Sequence, residues 1–490
     1  MKQKSLKLNV IMNTILTMSS FIFPLITFPY VSRILLPAGT GKVSFATSVI
    51  SYFAMFAQLG IPTYGVRACA KVRDNKEKLT RTVHEILFIN IIMSILAYIV
   101  FFIAFFTIPR ISQDRTLFII VSLTIFFNVI GMEWLYKALE EYTYITIRSI
   151  IFKFIALIAM FALVHQQSDY VIYGGISIFA ISASNILNFL HIHRFVYLKP
   201  VGNYNIKQHL KAVTVFFAMS CATTIYTHLD TIMLGFMTTD KDVGYYNAAV
   251  RIKSILVSIV TSLGVVLLPR SSYYVEHGFI DDFYRITKKA ISFVFLIAAP
   301  MVVYFILFAN EGIYFLAGSA YDGAICPMQI IMPALLCIGL TNIMGIQIFV
   351  PLGKEMIVLC SEIAGAIINL IFNLWLIPRM ASTGAAIGTL VAEIVVWAIQ
   401  YSALRKVMPK AYCQVHYIPL VIALVIGSAA SIGIKGLNIG VFLTLLFSAI
   451  LFFGIYGLVL TIAKEPLTLE IEKQIIGKLL NKSTKNKKYI

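Results

Sequence analysis

The sequence predicts an all-α polytopic membrane protein of about fourteen transmembrane helices, arranged as two pseudo-symmetric six-helix bundles followed by two further helices. Three observations predict it. Of the 490 residues, 59% are hydrophobic and only 13% are charged, against roughly 45–50% and about 25% in soluble domains. The apolar residues recur in blocks of about twenty, the length that spans a hydrocarbon core. A faint internal repeat, at an offset of roughly 203 residues, relates the first half of the chain to the second. With a mean hydropathy of +0.87, the apolar surface is too large for a soluble fold to hide, so lipid must be its solvent.

Spans are expected near 9–34, 43–66, 86–108, 117–139, 144–164, 171–194 and 212–236. A second group follows near 246–269, 289–309, 328–350, 356–376, 383–405, 416–434 and 439–462. The first block is too long for a signal peptide, lacks a small-x-small cleavage site and is followed by many more spans. The organisation expected is a first six-helix bundle over 1–211, a second over 212–410, two additional helices over 411–463 and a basic tail over 464–490.

The net charge of +18 would suggest nucleic acid in a soluble protein. Here the positive charges sit mainly between apolar blocks, where they act as topology signals and headgroup contacts. Of the 40 Lys and Arg, roughly 31 fall at the termini or in alternate loops on their side, including the runs Arg67 to Arg81, Lys199 to Lys211, Arg270 to Lys289 and Lys464 to Lys488. About seven lie on the other side, namely Arg33, Lys42, Arg110, Arg115, Lys241, Arg379 and Lys435. The positive-inside rule therefore places both termini in the cytoplasm. The inner loops near 67–85 and 270–288 mix charge with apolar spacing and read as surface helices. In the tail, Leu469, Ile471, Ile475, Ile476, Leu479 and Leu480 stand at helical spacing between lysines. That segment is either an amphipathic helix on the leaflet or a solvated basic tail. The six cysteines, Cys69, Cys221, Cys326, Cys337, Cys360 and Cys413, are scattered singly, so neither a disulfide framework nor a metal cluster is indicated.

The repeat is carried by small matches at constant offset. The turn after the first span reaches Gly41 and continues Lys42-Val43-Ser44-Phe45-Ala46; the turn after the seventh reaches Gly244 and continues Tyr245-Tyr246-Asn247-Ala248-Ala249. Leu59-Gly60 leads to Arg67 in the first case, as Leu263-Gly264 leads to Arg270 in the second. A shift of six helices preserves direction, so the repeats are parallel and related by an axis along the membrane normal. The expectation is two bundles facing a central cavity, exposed to each side in turn by rocking.

Charges inside spans cost at least ~2.5 kcal/mol each at the bilayer centre and usually face a cavity. The candidate substrate-binding residues are Lys153, several turns into the fifth span, Arg251 and Lys253 in the eighth, Arg33 closing the first, Asp230 in the seventh and Glu393 in the twelfth. Guanidinium and ammonium groups at these depths suit a phosphate-bearing substrate. Asp230 with Arg251 or Lys253 could equally be a buried latch between helices. Glu133, Lys137, Arg148 and Arg67 lie near enough to a surface to snorkel. No cofactor is expected, although a buried carboxylate can bind Na⁺ or H⁺ and couple transport to an ion gradient. Tyr226, Tyr245, Tyr246, Trp134 and Trp375 could stack on sugars or pack the core. His191-Ile192-His193 has no ligand partner at metal spacing, and no P-loop, GxGxxG, HExxH or GxSxG occurs.

One stretch carries a specific resemblance. Residues 28–79, FPYVSRILLPAGTGKVSFATSVISYFAMFAQLGIPTYGVRACAKVRDNKEKL, resemble the N-terminal signature of Wzx-type polysaccharide flippases, which translocate oligosaccharide repeat units and belong to the multidrug/oligosaccharidyl-lipid/polysaccharide exporter superfamily. The likeness continues in HLDTIMLG (228–235), VGYYNAAVRI (243–252), VLLPRSSYY (266–274) and IPRMASTGAAIGTLVAE (377–393), and fades after about residue 410. Leu36 departs from the family, which commonly has glycine before this proline. The resemblance implies fourteen helices in two lobes, a central cationic cavity and a polyprenyl-pyrophosphate-linked oligosaccharide cargo flipped to the outer leaflet for capsule or other surface polysaccharide assembly. It also implies a transporter rather than an enzyme. The partners implied are the lipid-linked oligosaccharide, membrane lipids and the polysaccharide polymerase and assembly proteins, with no nucleic acid. A teichoic-acid-unit flippase differs only in cargo. A drug/cation antiporter of the same superfamily would usually have twelve spans and an acidic cavity, and a membrane polymerase would carry a large outer loop rich in Arg, His or acidic residues.

Overall fold

The computed structural model describes residues 6–408 and 417–470, and among them every regular element is helical. Two compact units divide the chain, Met1–Asn247 and Ala248–Ile490. The first runs through α1 (Leu6–Gln58), α2 (Ile61–Val72), α3 (Lys76–Thr107), the single turn α4 (Pro109–Ser112), α5 (Arg115–Gly131), α6 (Glu133–Ala138), α7 (Tyr142–Leu163), α8 (Tyr170–Ile178), α9 (Asn185–His191) and α10 (Lys207–Met237). The division falls within α11 (Asp240–Glu276). The second unit continues through α12 (Ile280–Leu307), α13 (Ala309–Ala317), α14 (Ile325–Ile331), α15 (Ala334–Asn342), α16 (Glu355–Val407), α17 (Tyr417–Ile432) and α18 (Val441–Ile462). Residues 471–490, which carry most of the tail, lie outside the described residues, as do Cys413 and the first five residues.

Among the described residues, nine helical segments are long and apolar enough to cross a membrane, or up to twelve if each of three bent pairs is one span. The chain is thus a multi-pass membrane protein. The expected fourteen is reached only if the two longest segments, Leu8–Val72 and Glu355–Val407, each supply two crossings. Their lengths ask for it, since about twenty residues suffice for one. Both are also broken in the middle.

In α1 the break is at Leu36, where φ is 58° and ψ 176°. Pro37 follows, and its ring disfavours the helical region for the residue before it. Beyond the break the chain comes back. Asn9 Nδ2 donates to Glu140 Oε2 at 3.3 Å, and Arg73 Nη1 donates to Glu140 Oε1 at 2.7 Å. A straight helix would hold residues 9 and 73 about 96 Å apart; instead one carboxylate takes both. α2 leaves α1 through a second bend, where Leu59 and Gly60 have φ of 44° and 72°, and it packs against α3 and α6.

In α16 the break is at Ala381, with φ 45° and ψ −125°. Its two halves run antiparallel: Gln400 Nε2 donates to Ser361 Oγ at 3.0 Å, and near the turn Gly384 lies against Leu376. A Cβ on Gly384 would stand 2.5 Å from the Leu376 carbonyl oxygen, so only glycine permits this close return.

α1 forms the centre of the first unit, touching α3, α5, α7, α8 and α10. Val31 and Leu35 are wholly buried against Ala156, Met160 and Val164. In the second unit α17 and α18 pack on each other and on α12, where Tyr304 Oη donates to the Leu445 carbonyl at 2.9 Å and Tyr456 Oη to the Leu296 carbonyl at 3.0 Å. The outward faces remain apolar. Phe88, Ile95, Ile99, Phe102, Ile103 and Phe106 of α3 are all exposed, a row that only lipid can cover.

Candidate functional site

The fifth expected span is α7, and it carries two buried cations. Lys153 is 9% exposed. Its Nζ donates to Ser19 Oγ at 2.8 Å and Ser20 Oγ at 3.0 Å, both on the first half of α1. Among the described residues its hydrogen-bond partners are thus hydroxyls rather than carboxylates. An ammonium held by neutral oxygens keeps its full charge available, and a better acceptor can displace them.

Five residues earlier, Arg148 is 4% exposed. The sequence placed it near enough to the surface to snorkel; the structure buries it. Its Nη1 donates to the Ser184 carbonyl at 2.8 Å and to Asn185 Oδ1 at 3.3 Å. Its Nη2 lies 3.9 Å from Glu133 Oε2, while Glu133 Oε1 also holds Lys137 at 2.8 Å. Ser184 directly follows a π-helical turn, Phe179–Ala183, and such turns widen the helix and release carbonyls from the regular ladder. Nearby, His191 stacks on Tyr144 with ring centres 4.6 Å apart. It is therefore part of an aromatic stack that spacing alone did not suggest.

The other expected site residues are spread over both units. Asp230 on α10 is buried and accepts a hydrogen bond from the hydroxyl of Tyr246. Two residues earlier, His228 Nδ1 lies 3.2 Å from Ser48 Oγ. Arg33 is exposed and donates back to the Pro29 carbonyl at 2.5 Å. Arg251 and Lys253 are half-buried on α11, and Glu393 is 5% exposed in the second half of α16; these three belong to the second unit.

At the end of the first unit away from Glu140, a second polar cluster was not expected. Lys42 Nζ pairs with Asp114 Oδ1 at 2.9 Å, and Tyr170 Oη donates to the same oxygen at 2.7 Å. Arg110 pairs with Asp240, donates from Nε to the Gly235 carbonyl at 2.7 Å, and lies 4.8 Å over the Phe45 ring. Here the repeat becomes visible as a contact. A Cβ on Gly41 would meet the Asp240 carbonyl oxygen at 1.8 Å, and one on Gly244 would meet the Pro37 carbonyl oxygen at 2.1 Å.

The comparisons with known proteins agree with this architecture. Residues 6–275, more than half of the chain, match the family described as polysaccharide biosynthesis protein. The chain belongs to that family. It is 25% identical over 407 residues to the "Putative O-antigen transporter" of Escherichia coli (strain K12), covering 82% of this chain and 97% of that one. Among solved structures it resembles the lipid II flippase MurJ in an inward closed conformation, with a TM-score of 0.72 at 15% identity over 94% of this chain and 99% of that one. It also resembles a multidrug resistance MATE family transporter of the MOP superfamily in an inward-facing conformation, with a TM-score of 0.61 at 16% identity over 82% of this chain and 99% of that one. At these identities the two structures show a shared fold. Family membership agrees with the resemblance read from residues 28–79, and the multi-pass helical fold agrees with the expected fold class.

Proposed function

We propose that this family member is a flippase, carrying a polyprenyl-pyrophosphate-linked oligosaccharide repeat unit from the cytoplasmic to the outer leaflet by alternating access. On this reading the product feeds capsule or other surface polysaccharide assembly, in concert with a polymerase and assembly proteins. On this reading the chain belongs in the bacterial inner membrane, and its charge bias supports cytoplasmic termini. It makes fourteen crossings, counting α1 and α16 twice, as two six-helix bundles over 1–211 and 212–410, two added helices over 411–463 and a cytoplasmic tail over 464–490.

The observation that carries the reading is Lys153. Its charge is buried within a span, yet two serine hydroxyls hold it. A phosphate oxygen is a stronger acceptor than a hydroxyl, and its negative charge adds a coulombic attraction to the ammonium that a serine hydroxyl does not offer. The ammonium can therefore exchange Ser19 and Ser20 for a pyrophosphate as the headgroup passes. Arg251, Lys253, Arg33, Asp230 and Glu393 are the further residues we place along the cargo's path. The E. coli relative's description as an O-antigen transporter and the lipid II flippase among the fold's neighbours support a lipid-linked glycan as cargo.

The test is depletion of the protein followed by mass spectrometry of lipid-linked intermediates. A polyprenyl-pyrophosphate oligosaccharide facing the cytoplasm should accumulate. Accumulation of a polyol-phosphate lipid, or of no lipid intermediate, would overturn the reading.

A further inference from the structure

Three side chains outside the proposed cargo path meet at the Glu140 end of the first unit. Glu85 of α3 is 1% exposed and His209, at the start of α10, is 4% exposed. His209 Nε2 lies 2.6 Å from Glu85 Oε2, and His209 Nδ1 lies 2.6 Å from Tyr64 Oη on α2. The carboxylate is completed by the Asn205 backbone N–H, at 2.5 Å from Oε1, and by Gln208 Nε2, at 2.9 Å from Oε2. Both ring nitrogens are engaged, and the whole group is built from elements far apart in the chain.

Chemistry follows from the two partners. Facing a carboxylate, Nε2 carries its hydrogen in either charge state of the ring. The neutral ring accepts the Tyr64 O–H at Nδ1. The protonated ring donates N–H to the Tyr64 oxygen, and the hydroxyl hydrogen turns away. A proton thus enters or leaves with no heavy atom displaced, and histidine is the side chain suited to do so near neutral pH. Other titratable or charged groups on the surrounding elements are Arg67 and Cys69 of α2, Arg81 and His84 of α3, and Lys207 and Lys211, flanking His209 on α10. Glu133 and Lys137 of α6 pair with each other.

What the proton changes is the strength of a clasp. α10 bends by 41° between Cys221 and Thr223, so His209 holds the first arm, Lys207–Cys221. The same arm is pressed on Gly60, where an added Cβ would stand 2.5 Å from the Phe217 nitrogen. Protonated, His209 and Glu85 form an ion pair in a site sheltered from water, where such attraction is strong. Deprotonated, they keep a single neutral-donor hydrogen bond. We propose that His209, gripped between Glu85 and Tyr64, is a proton-binding site that fastens the first arm of α10 to α2 and α3 when occupied and loosens it when empty. With this end in the cytoplasm, as the positive-inside bias supports, the proton exchanges with that side whatever the cargo is.

The full chain in lipid nanodiscs, labelled with 15N-histidine, tests this by NMR, with His209→Gln assigning one signal among the eight histidines. The His209 signal should pass from neutral to doubly protonated as the pH is lowered. Over the same step, amide exchange across 207–221, corrected for its intrinsic pH dependence, should quicken about threefold or more on deprotonation. His209→Gln should abolish that step. Tyr64→Phe, which keeps the Glu85 pair, should move the midpoint by about half a pH unit, or threefold in proton affinity. A His209 signal of one charge state throughout, exchange that ignores the titration, or an unmoved midpoint in Tyr64→Phe would each overturn the proposal.

Discussion

Gly41 and Gly244 are reciprocal: each presents a bare Cα to the backbone of the other's turn. The Gly41 site opens onto the Asp240 carbonyl and the Gly244 site onto the Pro37 carbonyl, so residues matched by the internal repeat stand in the same relation to one another. A Cβ at either position forces the two turns apart. Gly41→Ala and Gly244→Ala are each expected to cost about 1–3 kcal/mol, as overpacking does. Because one separation relieves both clashes, the double variant should lose clearly less than the sum. Thermal unfolding of the purified protein in detergent measures all three, and strict additivity would show the turns to be independent.

Leu36 departs from the glycine common in the family, and the structure gives the departure a cost. Its φ of 58° with ψ near 176° belongs to a region that only glycine occupies freely, at about 1–3 kcal/mol for other residues. Leu36→Gly should therefore raise the melting temperature, offset in part by the greater chain entropy of glycine. A lower melting temperature would mean that the Leu36 side chain contributes more by packing than its backbone loses.

Lys153→Ala should abolish surface-polymer output while the protein remains inserted at normal levels. Ser19→Ala combined with Ser20→Ala should behave differently. It leaves a buried ammonium short of acceptors, costing stability by about 1–3 kcal/mol, but retains the cation that receives phosphate. Output should persist in the serine variant, measured by polymer immunoblot against membrane-protein level. Normal output from Lys153→Ala would remove it from the cargo path.

At Arg148 the guanidinium spans the Ser184 carbonyl, Asn185 and Glu133. Lysine offers a compact charge without the fork and cannot reach these partners together. Arg148→Lys should fall short of rescue, with a stability loss of about 1–3 kcal/mol from the contacts left unmade. Equal melting temperatures for wild type and Arg148→Lys would reduce the residue to a point charge.

How much of this was legible in the sequence differs from residue to residue. Span positions follow from apolar block length, and the repeat was visible because Gly41 and Gly244 sit in like contexts. Even the oddity of Leu36 could be seen, though its left-handed φ could not. Burial of Arg148 was missed because hydropathy reports depth along the normal, while the acceptors that permit burial come from a π turn thirty-odd residues later. The Glu85–His209 pair was out of reach for a similar reason. Its members are 124 positions apart, and periodicity tells which face of a helix is polar, not which other helix it faces.

The carboxylate that collects both Asn9 and Arg73 has a bearing on biogenesis. Glu140 leaves the ribosome long after the first hairpin has been made, so for a time that hairpin is inserted with its two open ends untied. A nascent chain stopped short of residue 140 would present an unclasped pair of helices to the membrane proteases. The arrival of Glu140 ties the two ends to one carboxylate.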